Sequence, residues 1–414
     1  MDKYQHSVLL DSTKCTGCTT CLKHCPTEAI RIKDGHAQIN EKRCIDCAEC
    51  IRQCPHQAKK AVYSKLEAMD RFKYKIALPA PTLYGQFDNL DDIDFVLDGL
   101  LRLGFDEIYE VSKAAELVSA YTRLYLKTEG TVKPLISSAC PVIVRLISLR
   151  FPSLTSNILH MLPPMEVAAQ LAKQNVKREH PELKDEEIGT CFISPCPAKV
   201  SYVSNGFADY KSNVDEVVSI SDIYFMLLNK MSPDNEVMPL CDSGIIGISW
   251  ASSGGEATAI FNERYLAADG IENVIRVLDQ VENGNITNLD FIELNACPGG
   301  CVGGVMTVQN PFIAKARLRS LRKGLPVSRN TPDRHEMDYI PDVYLFDNIP
   351  TYAPITRLSD NLAESMRMMA DIQKFRELLP GIDCGACGAP SCKAFAEDVV
   401  KGKAHVNACK IQEL

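Results

Sequence analysis

The sequence predicts a protein of the α/β class, in which small cysteine-rich domains precede and follow a central domain with parallel sheets. Apolar strand segments alternate with helical segments between residues 75 and 323, which is the pattern of βα units in a parallel sheet. Eighteen cysteines are present, and twelve of them lie before residue 60 or after residue 380. These observations divide the chain into predicted domains at 1–70, 71–355 and 356–414.

The composition is that of an ordinary globular protein, since 46% hydrophobic residues are enough for a sizeable core. A net charge of −8 gives no indication of binding to nucleic acid or to an anionic membrane. The first residues lack the features of a signal peptide, and no apolar run has membrane-spanning length. We therefore expect a cytoplasmic protein without nucleic-acid or membrane partners, whose cysteines bind metal rather than form disulfides.

The first domain contains one cysteine pattern twice, C-x2-C-x2-C-x3-C-P. Bacterial two-cluster ferredoxins have this pattern, and in them the fourth cysteine of each run binds the other cluster. One 4Fe–4S cube is therefore expected on Cys15, Cys18, Cys21 and Cys54, and a second on Cys44, Cys47, Cys50 and Cys25. Zinc is the alternative, but zinc sites do not use this interlocked spacing. We expect an α+β ferredoxin-like domain with a hairpin that turns at Asp34-Gly35.

The central domain follows a predicted linking helix at 61–75, and its strands and helices alternate. The predicted strands lie at 75–81, 107–111, 133–137, 189–193 and 289–294, and the predicted helices at 90–103, 113–127, 142–150, 164–175, 214–230, 271–282 and 313–323. In domains of this kind, sites form where parallel strands end.

Four cysteines follow the ends of three of these strands. Cys140 and Cys196 each precede a proline, and Cys297 and Cys301 lie in the glycine-rich segment ACPGGCVGGV. Proline suits the first position of a helix, and the N-terminus of a helix favours a thiolate. Four thiolates from these loops can hold one 4Fe–4S cube. For residues 291–305 taken alone, the alternative is a glycine-rich turn with two incidental buried thiols.

The central domain resembles the catalytic domain of the iron-only (FeFe) hydrogenases. The matching segments are SSACPVIVR (137–145), SPCPAKV (194–200) and FIELNACPGGCVGGV (291–305). The resemblance implies a two-lobed α/β domain whose cube is held by Cys140, Cys196, Cys297 and Cys301. Cys301 would join the cube to a diiron unit that carries CO, cyanide and an azadithiolate bridge. By motif position, Lys199 would hydrogen-bond a cyanide, and a surface lysine is the alternative.

The sequence departs from that family around the diiron unit. The cysteine that passes protons to the bridging amine is replaced by Ala139, and two flanking methionines are replaced by Ser194 and Asn295. The usual proton path is therefore expected to be absent. The candidate substitutes are His160, Glu166, Tyr202 and Cys241.

The last domain combines a predicted helix at 359–379, to which we assign no chemistry, with a short cysteine-rich segment. The spacing of Cys384, Cys387, Cys392 and Cys409 is similar to that of a small 4Fe–4S domain appended to several anaerobic redox proteins. A small α-helical iron–sulfur domain is expected, with zinc as the alternative. A strand cysteine such as Cys191, left over from these sets, is most often a small buried hydrophobe.

The resemblance implies an enzyme with four 4Fe–4S clusters that interconverts H2 with protons and electrons. Ala139 favours slow turnover and H2 sensing, read by a signalling partner, over turnover coupled to ferredoxin. A third alternative is a non-catalytic relative, similar to iron–sulfur assembly factors, without the diiron unit. Lys199 argues against this alternative, whereas Ala139, Ser194 and Asn295 argue for it. Hydrogenase maturation proteins are further implied partners.

Overall fold

The computed structural model describes residues 5–208, 210–231, 237–332, 339–350 and 357–411. The chain forms two compact units. The cysteine-rich unit comprises Met1–Val62, Arg145–Pro152 and Tyr352–Leu414, and the sheet unit comprises Tyr63–Val144 and Ser153–Thr351. The three-domain division of the chain stays a prediction.

The strands and α-helices follow one another along both units. The strands are β1 (Val8–Leu10), β2 (Ile30–Lys33), β3 (His36–Ile39), β4 (Lys59–Ala61), β5 (Tyr74–Pro79), β6 (Glu107–Ile108), β7 (Leu135–Ile136), β8 (Ile188–Ser194), β9 (Glu216–Ser219), β10 (Tyr265–Asp269) and β11 (Phe291–Asn295). The helices are α1 (Thr20–Lys23), α2 (Glu49–Arg52), α3 (Asp94–Arg102), α4 (Val111–Tyr125), α5 (Pro141–Arg150), α6 (Pro164–Glu179), α7 (Pro197–Asn205), α8 (Ile220–Leu228), α9 (Ile245–Ser249), α10 (Gly255–Ala259), α11 (Ile271–Glu282), α12 (Pro311–Leu321), α13 (Leu362–Glu377) and α14 (Cys392–Val400).

Two parallel sheets form the framework of the sheet unit. One has the strand order β6-β5-β8-β9 and the other the order β10-β11-β7, and the strands in both pair in parallel. All seven residues of β8 are buried, as is usual for a strand inside a parallel sheet. The predicted α/β class with parallel sheets is therefore confirmed. Strands β7, β8 and β11 each lead into a loop that carries cysteine.

The core of the sheet unit includes Cys191, which lies on β8 and is fully buried. Its neighbours in this core include Ala77 on β5 and Val218 on β9. Burial among apolar side chains raises the pKa of the Cys191 thiol well above its usual value. The prediction that this cysteine is a small buried hydrophobe is confirmed.

Two element predictions differ from the structure. The predicted helix at 214–230 is wrong in its first part, because β9 pairs there with β8 and α8 begins only at Ile220. The two valines of β9 are β-branched and favour the buried position beside β8. The predicted helix at 61–75 is also wrong at both ends, since only Leu66–Arg71 is helical, as a 3₁₀ helix. Strand β10 has no counterpart among the predicted strands.

The cysteine-rich unit contains two antiparallel strand pairs, β1 with β4 and β2 with β3. The second pair is the hairpin predicted at Asp34-Gly35. The segment before α14 packs on this hairpin, because the backbone N–H of Ile32 donates to the carbonyl of Gly388 over 2.9 Å. Two ion pairs join the same parts of the unit, Arg31–Asp398 and Arg43–Glu397. The N-terminal and C-terminal cysteine segments are thus packed together in one unit.

Candidate active site and metal centres

Three strand-end loops of the sheet unit bring four thiols together. Cys140 and Cys196 immediately precede α5 and α7, and each of these helices begins at a proline that needs no backbone N–H. The pKa of Cys196 is raised well above its usual value, chiefly by burial and then by the charges of the thiols of Cys297, Cys140 and Cys301. The structure therefore brings the thiols of Cys140, Cys297 and Cys301 close enough to that of Cys196 to interact electrostatically with it.

The loops that follow β8 and β11 contact each other directly. The backbone N–H of Met306 donates to the carbonyl of Pro195 over 3.1 Å. A Cβ atom at Gly304 would lie 2.2 Å from that same oxygen, which is too close for any side chain. Glycine at this position therefore allows the loop of Cys301 to approach the loop of Cys196.

Lys199 places an ammonium group beside the thiols of Cys301, Cys140 and Cys196. It lies in the first turn of α7, and its Nζ donates to the carbonyl of Ala139 over 2.8 Å. Burial lowers the pKa of Lys199, and the charges of Cys301, Cys140 and Cys196 oppose that shift. The side chain is part-buried and points into the site, unlike the alternative of a surface lysine.

The residues that stand in place of the proton-passing cysteine and the two flanking methionines make structural contacts of their own. Ser194 is fully buried, and its Oγ accepts a hydrogen bond from the backbone N–H of Cys196 over 3.1 Å. The Nδ2 of Asn295 donates to Glu293 over 2.7 Å. The carbonyl of Ala139 accepts from Lys199, and its N–H donates to Ser137 over 3.2 Å. Ser194 and Ala139 therefore help to hold cysteine loops in place, whereas Asn295 contacts a carboxylate of its own strand.

A pair of buried carboxyl groups adjoins this site, and sequence reasoning missed both. The Oγ of Ser137 lies 2.7 and 2.8 Å from the two carboxyl oxygens of Glu256. Burial and the neighbouring Glu293 raise the pKa of Glu256 to about 8, while Ser137 and Lys199 oppose the shift. Glu293 accepts from the backbone N–H groups of Gly254 and Ala257, and burial also raises its pKa. A sequence signal that could have indicated this pair is Glu293, a charged residue inside the apolar strand FIELN.

The candidate proton-transfer residues are distributed over several environments. Glu166 is fully buried and interacts with Lys199, and Ser212 donates to its Oε1 over 2.5 Å. Tyr202 is buried one turn from Lys199, whereas the ring of His160 stacks on Phe346 at 5.3 Å. Cys241 belongs to a separate network with Glu110 and Ser243. Of these candidates, Glu166 and Tyr202 lie nearest to the lysine of the site.

Two cavities in the cysteine-rich unit correspond to the predicted N-terminal cubes. The lining of the first cavity includes Cys15, Cys18, Cys21 and Cys54. The lining of the second cavity includes Cys25, Cys44, Cys47 and Cys50. Each cavity thus combines three cysteines of one run with the fourth cysteine of the other run. This is the interlocked arrangement that the spacing predicts.

The surroundings of these cavities fit an anionic cluster. Lys59 is only 3% exposed, and its Nζ has no hydrogen-bond partner among the described residues. A buried ammonium without a partner is unfavourable, and a cluster held by thiolates would offset this cost. The backbone N–H groups of Ala29 and Ala58 also donate to the sulfurs of Cys25 and Cys54.

The C-terminal cysteines surround a small core of their own. Cys387, Cys392 and Cys409 pack against a cluster that includes Phe395 and Ala396. The pKa of Cys387 is raised by burial and then by the charges of Cys384 and Cys409. Cys392 opens α14, where the N-terminus of a helix favours a thiolate. The four thiols therefore offer a compact set of soft donors for a metal cluster.

The parallel sheets and the converging cysteine loops define an iron–sulfur redox protein. A model described as the C-terminal domain of the iron only hydrogenase large subunit matches residues 73–265 and 255–305. Since this match covers more than half of the chain, the chain belongs to the iron-only hydrogenase family. A 4Fe-4S dicluster domain model matches residues 7–55, and a putative Fe-S cluster model matches residues 379–411.

One relative matches most of the chain and another matches a short segment. Iron hydrogenase 1 of Clostridium pasteurianum is 25% identical over 398 residues, which cover 78% of this chain and 69% of that protein. One component of the ion-translocating oxidoreductase complex of Rhodobacter capsulatus is 45% identical over 38 residues. That short match covers 9% of this chain, and the chain spans only about a fifth, 20%, of that component.

A solved structure shows the same fold. It comes from a study of FeFe hydrogenase inactivation by oxygen through degradation of the 2Fe subcluster, and it superposes with a TM-score of 0.52. The alignment has 15% sequence identity and covers 68% of this chain and 95% of that chain. Within the described part of the chain, no helix is both long and apolar enough to cross a membrane.

Proposed function

We propose that this protein is an FeFe hydrogenase, which interconverts H2 with two protons and two electrons, and that it turns over slowly enough to serve as an H2 sensor. The observation that carries the proposal is the ammonium of Lys199 beside three of the four predicted ligand thiols, at the ends of parallel strands. A positive group buried beside thiols suits an anionic cofactor. Family membership supports the same chemistry.

The residues of the site would hold the cofactor in a defined orientation. Cys140, Cys196, Cys297 and Cys301 would bind a 4Fe–4S cube. Cys301 would also bridge to the diiron unit, because a thiolate is soft enough to join two irons. When bound, this diiron unit with its CO, cyanide and azadithiolate groups supplies the heterolytic cleavage of H2. Lys199 would donate a hydrogen bond to a cyanide, and Ser194 would fix the loop of Cys196.

Proton transfer would depend on groups other than residue 139, since the methyl group of Ala139 has no proton to donate. The N–H of Ala139 contacts Ser137, and Ser137 in turn contacts Glu256. A pKa of about 8 lets Glu256 hold and release a proton near neutral pH. Glu256 and its neighbour Glu293 would therefore form a substitute relay, and its indirect connection to the site would make turnover slow.

Electrons would move through the remaining iron–sulfur clusters to a redox partner. The two N-terminal cavities and the C-terminal cysteine set belong to one unit, which would hold three of the four proposed 4Fe–4S cubes. The partner would be ferredoxin or a signalling protein. Maturation proteins of hydrogenases would supply the diiron unit.

Infrared spectroscopy of the protein matured with the diiron unit tests this proposal. We expect CO and cyanide stretching bands, which Cys301→Ser should abolish and Cys191→Ala should leave unchanged. Absence of these bands after complete maturation would instead support a non-catalytic relative, the alternative that Ala139, Ser194 and Asn295 favour. Bands accompanied by H2 turnover as fast as that of efficient FeFe hydrogenases would contradict the sensor role alone.

A further inference from the structure

The two cavities of the cysteine-rich unit arise from two repeats that differ in the charge of buried residues. The fifth residue after the last cysteine of each run is Ile30 in the first repeat and Lys59 in the second. Lys59 lines the first cavity, and Ile30 lines the second cavity. Both residues are buried, at 3% and 2% exposure. At this position the first cavity therefore has a cation and the second cavity has a hydrocarbon side chain.

The charge of Lys59 acts on thiols of both sites. After burial, Lys59 is the strongest influence on the pKa of Cys21 in the first cavity and of Cys50 in the second cavity, and it lowers both. No described residue accepts a hydrogen bond from its Nζ. The ammonium is thus directed at the cluster sites and is not neutralised by a carboxylate hydrogen bond.

A second difference between the repeats also makes the surroundings of the second cavity more negative than those of the first. Asp46 lines the second cavity and is 1% exposed, whereas its counterpart in the first repeat is Gly17. The carboxyl group of Asp46 raises the pKa of Cys44, after the larger effect of burial. The first cavity therefore has an extra cation, and the second cavity has an extra acidic group.

We propose that Lys59 sets the reduction potentials of the two N-terminal cubes and raises chiefly that of the cube in the first cavity. This inference rests on the proposed assignment of 4Fe–4S cubes to these cavities. Reduction adds one electron to a cube that already carries negative charge, and a nearby ammonium stabilises the reduced form. An electron that reaches the pair from H2 oxidation or from a redox partner then resides mainly on the cube beside Lys59.

The test compares three variants of the full-length protein loaded with iron–sulfur clusters but lacking the diiron unit. Lys59→Met removes the charge and keeps the length of the side chain, whereas Lys59→Arg keeps the charge. Lys60→Met removes the same charge from the exposed neighbouring position on β4. Redox titrations followed by electron paramagnetic resonance then give the reduction potentials of the cubes in each protein.

We expect Lys59→Met to disfavour reduction of one cube by at least tenfold, which is about 59 mV for one electron. The potentials of the two cubes should also move closer together. Lys59→Arg and Lys60→Met should both resemble the unchanged protein. Equal potentials in Lys59→Met and Lys60→Met would overturn the inference.

Cluster content separates this inference from the proposed function. Failure of the unchanged protein to bind two N-terminal cubes would contradict the cofactor assignment itself. If Lys59→Met does not fold, Lys59→Gln removes the same charge and retains a polar end. A normal cluster content together with an unchanged potential in that variant would refute the role of Lys59 alone.

Discussion

At the scale of single residues, Ala139 leaves the proposed site without a proton donor at that position. We expect Ala139→Cys to raise H2 turnover, because a thiol can exchange protons where a methyl group cannot. The increase should stay well below the roughly 10²- to 10⁴-fold effect of a complete acid–base group, since a thiol at residue 139 would still depend on the indirect connection through Ser137 to Glu256. The expected increase is checked by measuring H2 turnover, and the solvent isotope effect on it, in the matured protein.

Cys191→Ala is the matched control for that substitution, because it changes a thiol in the core of the sheet unit. Its turnover should equal that of the unchanged protein. An Ala139→Cys variant without any gain in turnover would mean that proton transfer does not limit the rate.

Glu256 should give the stability of the protein a characteristic pH dependence. Its pKa is about 8 in the folded state and near the ordinary value of 4.5 in the unfolded state. Between these pH values the unfolded state binds fewer protons, so the free energy of unfolding falls as the pH rises. Glu256→Gln has no carboxyl group at this position to lose a proton in that range. The melting temperature of the variant minus that of the unchanged protein should therefore increase from about pH 5 to pH 8.

Thermal unfolding measured at several pH values checks this expectation. The control is Glu186→Gln, which changes an exposed glutamate and should give a pH profile parallel to that of the unchanged protein. A difference between Glu256→Gln and the unchanged protein that is constant with pH would show that Glu256 is already ionised when folded.

At the level of residues, the sequence is most informative where spacing alone carries the information. The two interlocked cysteine sets follow from repeated intervals along the chain, and the cavities contain the same sets. Glu256 and Glu293 lie 37 positions apart and meet only because α10 packs beside β11. No local pattern joins such a pair, so tertiary structure was needed to find it.

At the scale of elements, the contact between the hairpin and the C-terminal segment depends on Gly388. This residue has φ +84°, and a Cβ atom there would lie 2.2 Å from the carbonyl oxygen of Ile32. We expect Gly388→Ala to weaken the contact between the hairpin and the C-terminal segment, because the backbone of Ile32 has little room to move away from the added methyl group. Hydrogen exchange in the segment 357–411 should therefore increase.

Gly402→Ala is the matched control for that change. Gly402 also has a positive φ, +66°, but no atom lies within 4 Å of the position that a Cβ would take there. Both variants therefore share the conformational cost of about 1–2 kcal/mol for a left-handed backbone. Equal hydrogen exchange in the two variants would show that the close approach at Gly388 contributes nothing.

Element prediction was most accurate for periodic segments and weakest for short strands. The helix predicted at 271–282 coincides with α11, whose apolar residues all face one side. Strand β9 was assigned to a helix because its four residues are followed directly by α8. A strand this short is defined by pairing with β8, which the sequence does not reveal.

At the scale of the whole molecule, the charge is divided unevenly between the units. The cysteine-rich unit contains 20 Lys+Arg and 15 Asp+Glu, whereas the sheet unit contains 25 and 38. Clusters bound by thiolates add negative charge, so a basic surrounding polypeptide offsets part of it. The excess of basic residues thus coincides with the unit that would hold three cubes.

The fully loaded protein should contain about 18 iron atoms, as four cubes and one diiron unit. Replacing Cys384 and Cys392 together by serine should remove about four of them, because serine oxygen is a poor substitute for a thiolate. Iron analysis of both proteins measures this difference. An unchanged iron content in the double variant would mean that the C-terminal cysteines hold no cube.

The hydrogen bond between Ile32 and Gly388 joins two segments that are synthesised at different times. At a synthesis rate of about 5–20 residues per second, Gly388 emerges roughly 20–70 s after Ile32, the strand residue to which it is hydrogen-bonded. Throughout that interval the hairpin presents an open edge, which other chains could pair with. Rapid translation of the sheet unit would shorten this exposure, and slow translation would favour aggregation of the nascent protein.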